Sequence, residues 1–263
     1  MPTWYDLDAQ VVLIAGASSG MGKATALAAG AAGARLVLAA RNGEALEEVR
    51  SSIGGGSVII VPTNLTDRQA VSRLVDAAIN EYGRIDAVVN SVGTNIRRRA
   101  LDELTPESWS DMLASNLNAA FNLTQAIVPV FRRQGGGLLI HISSSAARKP
   151  DRSGVAYQAS KAGVVGLAHG TMEEEREHGI RTTVIFPGLT DTPLVLKRPT
   201  PTPPEVLARA LQPEDVAAAC LFVMTLPPRA HVPELVLYPS RLDGSANSSA
   251  TPKPYRRQGS RGK

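Results

Sequence analysis

Seven short apolar runs, separated by longer amphipathic stretches, restrict this chain more than any other feature. They read VVLIAG (11–16), RLVLAA (35–40), SVIIVP (57–62), IDAVVN (85–90), GLLIHIS (137–143), RTTVIFP (181–187) and ELVLYP (234–239). Each is near-continuously apolar rather than alternating, the pattern of strands covered on both faces. Helix-like segments lie between them at about 20–32, 43–53, 67–82, 106–133, 156–178 and 213–225. Asp67 and Thr105 stand at helix starts as capping side chains, the second just ahead of Pro106. The alternation predicts an α/β fold: one doubly wound, parallel, seven-stranded sheet with helices on both faces. A length of 263 residues suits a single such domain, and no repeat or linker interrupts residues 1–242.

The formal charge of +4 raises the question of a nucleic-acid partner, and its position argues against one. Beyond residue 242 the chain carries Lys253, Arg256, Arg257, Arg261 and Lys263 against Asp243, which is the whole +4, so residues 1–242 sum to zero. That segment, 243–263, is rich in Gly, Ser and Pro and is expected to be a disordered basic tail. No apolar stretch reaches the ~18 residues that a membrane span requires. The N-terminus lacks a basic start followed by an apolar run, so no signal peptide is expected. The one cysteine, Cys220 within VAAACLFVM, reads as a core thiol in a reducing compartment, and the cytoplasm is the expected location.

Two motifs carry chemistry on their own residues. GASSGMG follows the first strand and opens a helix, with Gly16, Gly20 and Gly22 in a GxxxGxG spacing. Glycines there permit a sharp turn and let backbone N–H groups approach a pyrophosphate at the positive end of the helix. YQASK places Tyr157 and Lys161 four residues apart, on one face of a helix. A phenol titrates near pKa ~10. A neighbouring cation could lower that by ~1–3 units, toward the range of a useful general acid or base.

With those motifs stand NSVG (90–93) after the fourth strand, Asn116 in SNLNAAF, Ser144 thirteen residues before Tyr157, and Pro187-Gly188 after the sixth strand. In this order the set resembles the short-chain dehydrogenase/reductase family, over about residues 8–239. The resemblance implies a Rossmann-like domain in which Asn116, Ser144, Tyr157 and Lys161 are catalytic. Tyr157 would exchange a proton with the substrate oxygen, and Ser144 would position that oxygen. Lys161 would lower the Tyr157 pKa and hold the nicotinamide ribose, while Asn116 would support a water-linked proton path. The cofactor would lie along Gly16, Ser18, Ser19, Gly20, Met21 and Gly22, with Asn64 and Leu65 at the adenine and Asn90 and Gly93 nearby. Pro187 and Gly188 would shape the nicotinamide pocket, and the backbone of Leu189, with Thr190 or Thr192, would bind the carboxamide or phosphate.

At the end of the second strand, LVLAARN lacks the acid that commonly binds NAD ribose hydroxyls. Arg41 stands there instead, with Asn42 beside it, and a guanidinium suits a 2′-phosphate. NADP(H) is therefore expected over NAD(H); no metal set is assigned. Two departures from the family pattern bear on the cofactor loop. Ala15 replaces a threonine, removing a hydroxyl that ties the loop to the fourth strand, and NSVG replaces Asn-Asn-Ala-Gly.

The segment LVLKRPTPTPPEVLARAL (194–211) takes the family's substrate-lid position and is expected to be stiff, with little helix. TNIRRRALDEL and ARKPDRSGVA are expected near the pocket. Their basic residues leave an anionic substrate open, with a solvated or subunit-facing surface the favoured reading. A small-molecule carbonyl or secondary alcohol is the expected substrate. The helices at 106–133 and 156–178 are the expected dimer or tetramer surfaces. The alternatives are a non-catalytic NADPH-binding sensor or scaffold, and an isomerase-type enzyme of the same fold.

Overall fold

The computed structural model describes residues 6–241. The expected basic tail, 243–263, lies outside the described residues. All seven apolar runs form strands: β1 (Val11–Ala15), β2 (Arg35–Ala40), β3 (Val58–Pro62), β4 (Ala87–Asn90), β5 (Gly137–Ile142), β6 (Ile180–Pro187) and β7 (Glu234–Leu237). They make one sheet in the order β3-β2-β1-β4-β5-β6-β7, every neighbouring pair parallel. The chain winds outward from β1 to β3, then restarts at β4 on the other side of β1. That reversal opens a crevice at the carboxyl ends of β1 and β4, where ligands bind in sheets of this kind.

Helices α1 (Gly20–Ala31) and α2 (Gly43–Ser52) cover one face of the sheet together with α8 (Pro213–Met224), and α3 (Arg68–Tyr82) lies on the other. Strand residues alternate between the two cores: Val12 and Ile14 face the first, Val11 and Leu13 the second, all fully buried. Cys220 sits in the first core with no exposed surface, and burial pushes its thiol up to about 12. Asp67 caps α3 by accepting from the Gln69 and Ala70 amides, and Thr105 caps the next helix in a reciprocal pair with Ser108. A cap of this kind contributes about 1 kcal/mol.

The expected single helix 106–133 is instead α4 (Pro106–Leu113), one π turn (Ala114–Asn118) and α5 (Ala119–Gln134). The π turn adds a residue to the winding at Asn116, whose side chain leaves the helix to bond elsewhere. Such single-turn bulges gather at functional sites. Helix α6 (Val155–Glu175) carries Tyr157 and Lys161, and Arg132 of α5 holds it by donating to Glu175 (Nε···Oε2 2.7 Å). The lid leaves and rejoins the body at one place: Leu211 N–H donates to Leu189 O (2.9 Å) and Asp191 N–H to Leu211 O (2.8 Å). Between those points lie a 3-10 turn (Pro193–Lys197) and the one-turn helix α7 (Pro204–Leu207), the small helical content that its prolines allow.

Candidate active site

Two cavities meet at the carboxyl edge of the sheet. The larger, about 830 Å³, runs along the loops after β1, β2, β3 and β4. The smaller, about 330 Å³, lies over the ends of β5 and β6 beneath the lid. Met21, Thr192 and Leu194 line both.

The larger cleft gathers most residues expected to hold a cofactor: Gly16, Ser18, Ser19, Gly20, Met21, Arg41, Asn42, Asn64, Leu65, Gly93 and Thr192. Gly16 has φ +83°, a left-handed conformation that a side chain would strain. Gly22 lies against Gly16, where a Cβ would fall 2.2 Å from the Gly16 carbonyl oxygen. Ser19 precedes α1 with its side chain uncommitted to capping, so the first amides of the helix open on the cleft. A turn cleared of Cβ atoms and ending in open amides fits a pyrophosphate. Ala15 lacks the family hydroxyl, yet the tie to β4 persists through backbone, Ser91 N–H donating to Ala15 O (2.9 Å). Replacing Gly22 with Ala is expected to displace Gly16 and weaken the expected dinucleotide by at least about tenfold, read by quenching of protein fluorescence; a lost hydrogen bond to a charged group alone is worth that much.

Several cofactor candidates carry structural duties. Asn42 caps α2, its Oδ1 accepting from the Ala45 amide (3.2 Å). Asn64 Oδ1 accepts from Thr66 N–H and Oγ1 (3.2 and 3.0 Å). The Leu65 side chain is buried in the second core. The Asn90 side chain is buried below the cleft, accepting from Val92 N–H (3.2 Å) and sharing a bond with His141 Nδ1 (3.1 Å). Its parallel pairing with His141 across β4 and β5 produces that contact. His141 was not foreseen from the sequence. Burial first, then the charge of Lys161, hold its pKa at about 3, so it stays neutral.

The smaller cavity brings together Ser144, Tyr157, Pro187, Gly188, Leu189, Thr190 and Thr192. Thr190 Oγ1 donates back to Gly188 O (3.2 Å), which leaves Thr192 as the threonine at the junction. Burial raises the Tyr157 pKa above its ordinary value, and a hydrogen bond with Ser144 pulls the other way. The expected lowering by Lys161 does not occur here. Lys161 Nζ sits 6.0 Å from the centre of the Tyr157 ring and donates to Ile142 O (3.0 Å). Burial also brings Lys161 itself down to about 8.

Gly93 lines the larger cavity, and a Cβ there would lie 2.8 Å from Lys161 Nζ, which sits behind it and lines neither cavity. Behind it, Asn116 Nδ2 donates to Thr94 O (3.0 Å) and Ser160 Oγ (2.9 Å), and its Oδ1 accepts from Thr94 N–H (2.8 Å). Its amide thereby ties the β4 loop to α6, and does not bond to Lys161. Two further contacts cross from this loop to the lid: Lys197 Nζ to Thr94 Oγ1 (2.6 Å) and Arg97 Nη2 to Leu196 O (3.3 Å). Neither was legible beforehand, since each joins residues about a hundred positions apart.

The family described as short chain dehydrogenase matches residues 10–201. The chain belongs to that family. An uncharacterised oxidoreductase of Staphylococcus haemolyticus is 32% identical over 234 residues, covering 89% of this chain and 99% of the relative. A metagenomic short-chain oxidoreductase solved with NADP is 31% identical with a TM-score of 0.77, covering 89% of this chain and 98% of that one. A 7α-hydroxysteroid dehydrogenase solved with NADH and 7-oxo glycochenodeoxycholic acid is 26% identical with a TM-score of 0.80, covering 91% and 97%. These short-chain dehydrogenase relatives make the protein an oxidoreductase with a nicotinamide cofactor, of one type or the other.

Proposed function

We propose that the protein reduces the carbonyl group of a small molecule, or oxidises the matching secondary alcohol, using NADP(H) in preference to NAD(H). The observation that carries this reading is Tyr157, bonded to Ser144 inside the smaller cavity, with Lys161 at Gly93 on the border of the larger one. When bound, the nicotinamide supplies the hydride equivalent. Tyr157 donates a proton to the substrate oxygen as charge develops on it, and Ser144 fixes that oxygen by a hydrogen bond. Lys161 binds the ribose and favours the phenolate form of Tyr157 once the cleft is filled. Asn116 holds the Thr94 loop against α6 and borders the path by which Lys161 regains a proton.

Arg41 supports the NADP(H) preference, being exposed on the cleft wall at the end of β2. A guanidinium gives a 2′-phosphate forked, charge-assisted bonds that a ribose hydroxyl does not match. Arg41→Ala is expected to weaken NADPH by about 10–100-fold and NADH by little, since a bond to a charged group contributes about 1.5–3 kcal/mol. Equal loss for both cofactors removes the assignment.

Self-association through α4, α5 and α6 is part of the same reading. Phe121 is 43% exposed there, and a groove beside it is lined by Val128, Pro129, Gly166, Leu167 and Gly170. Among the described residues no helix is long and apolar enough to cross a membrane, and a reducing cytoplasm suits the buried thiol. The whole reading is tested by following NADPH oxidation against ketones, aldehydes and quinones. Turnover on any of them supports it; no turnover with tight NADPH binding favours a sensor.

A further inference from the structure

Arginines from separate segments converge on the smaller cavity. Arg99 comes from the loop after β4, Arg152 from the loop before α6 and Arg198 from the lid, and all line it beside Tyr157. Asp151 lines it as well, so the group carries three positive charges against one negative, a net +2. Residues 1–242 sum to zero, which makes this a local concentration rather than a share of an overall excess.

Arg99 is fixed in place. Gly154, with φ +94°, passes so close that a Cβ would lie 2.8 Å from the Arg99 Cβ and carbonyl oxygen. Asn95 Nδ2 donates to Ser153 O (3.0 Å), which holds the same two loops together. Gly154 leads directly into α6, so the position of Arg99 is coupled to that of Tyr157, three residues on. Arg99 Nε is nevertheless buried without a hydrogen-bond partner, alone in that respect among buried side-chain nitrogens and oxygens of the described residues. A buried guanidinium donor with no acceptor is costly, and a ligand oxygen would relieve it. Burial, then repulsion from Arg198, lowers the Arg99 pKa, with Asp151 opposing. The two guanidiniums therefore feel each other.

We infer that the substrate carries an anionic oxygen group, a carboxylate or a phosphate, which Arg99 and Arg198 bind while its carbonyl faces Tyr157. The inference rests on the proposed carbonyl chemistry for its orientation, but the anion site stands on its own geometry. Forked guanidinium donors match both groups, and their enclosure beneath the lid strengthens the attraction. Arg99 and Arg198 thus select the substrate and orient it; the proton transfer stays with Tyr157.

The test uses the NADPH-saturated full chain, with linear keto acids of graded carbonyl–carboxylate spacing against their methyl esters, and dihydroxyacetone phosphate against dihydroxyacetone. Both kcat/KM and calorimetric affinity are measured. In each pair that fits, the anion is expected to be favoured by about 10–100-fold, the worth of a charge-assisted bond. The ratio should fall toward one in Arg99→Gln and in Arg198→Gln. The lid variant guards against a folding defect at the packed Arg99 position. A preference confined to the acids marks a carboxylate, and one confined to the ketose marks a phosphate. Turnover without any anion preference overturns the inference and leaves the reductase reading standing. Anion-selective binding without turnover, lost in both variants, upholds the inference and removes the reductase reading. Equal binding of every charged and neutral partner, with no turnover, overturns both.

Discussion

Tyr157→Phe is expected to lower kcat for carbonyl reduction by about a thousandfold, within the 10²–10⁴ that a positioned general acid contributes. The substitution keeps the ring that packs with Met112, Ala146 and Ala156 and removes only the hydroxyl that bonds Ser144. Stability should therefore change little. NADPH affinity should fall by no more than about tenfold, the worth of one hydrogen bond. The pH dependence adds a second readout. Because burial raises the Tyr157 pKa above 10.0, the phenol stays protonated throughout the neutral range, which suits donation to a carbonyl. Reduction by the wild type should be flat from about pH 6 to 7, below the range in which Lys161 sheds its proton, whereas alcohol oxidation needs the phenolate and should climb into the alkaline range. A variant retaining more than a tenth of wild-type turnover would remove Tyr157 from the proton-transfer role.

What could be read from the sequence, and what could not, divides by the range of the interaction. The seven strands announced themselves because each is buried on both faces and so must be apolar along its whole length. Asp67 and Thr105 were legible because a cap bonds within three residues of itself. Tyr157 and Lys161 shared a four-residue spacing that helix geometry could interpret, whereas Ser144 was legible only through the family resemblance. The π turn at Asn116 was not legible, since it is imposed by bonds to Thr94 and Ser160, 22 and 44 residues away. The Asn90 side-chain partner was hidden for the same reason, since His141 lies on another strand. The arginines of RRRALDEL looked like surface residues until the Gly154 turn and the lid enclosed Arg99 with Arg198.

Lys161→Met is expected to cut turnover while making the cofactor-free protein more stable. Lys161 is 5% exposed, and burial lowers its pKa from 10.5 to about 8. The folded chain thus binds this proton less tightly than the unfolded chain does. Below pH 8 both states carry the charge, and folding bears its full desolvation cost, about 3 kcal/mol at 1.36 kcal/mol per pH unit. From pH 8 to 10.5 the unfolded state holds more protons, so this contribution to stability rises with pH through that window. Methionine removes the buried charge and keeps the volume. It also loses the bond to Ile142 O, worth about 1 kcal/mol, so the net gain near neutrality is about 2 kcal/mol. A rise of roughly 4–8 °C in the melting temperature follows for a domain of this size. The gain should shrink as pH approaches 10, because the wild type sheds the same charge. Turnover should fall by about 10²–10³, because the proposed reaction loses the cation that would hold the cofactor ribose and offset the charge left on Tyr157 when it gives up its proton. Calorimetric melts at pH 7 and pH 10, beside NADPH oxidation rates, check both halves at once. A variant less stable than wild type at pH 7 would mean that Lys161 is compensated in the empty cleft, and that its charge is not held there at a cost for the sake of turnover.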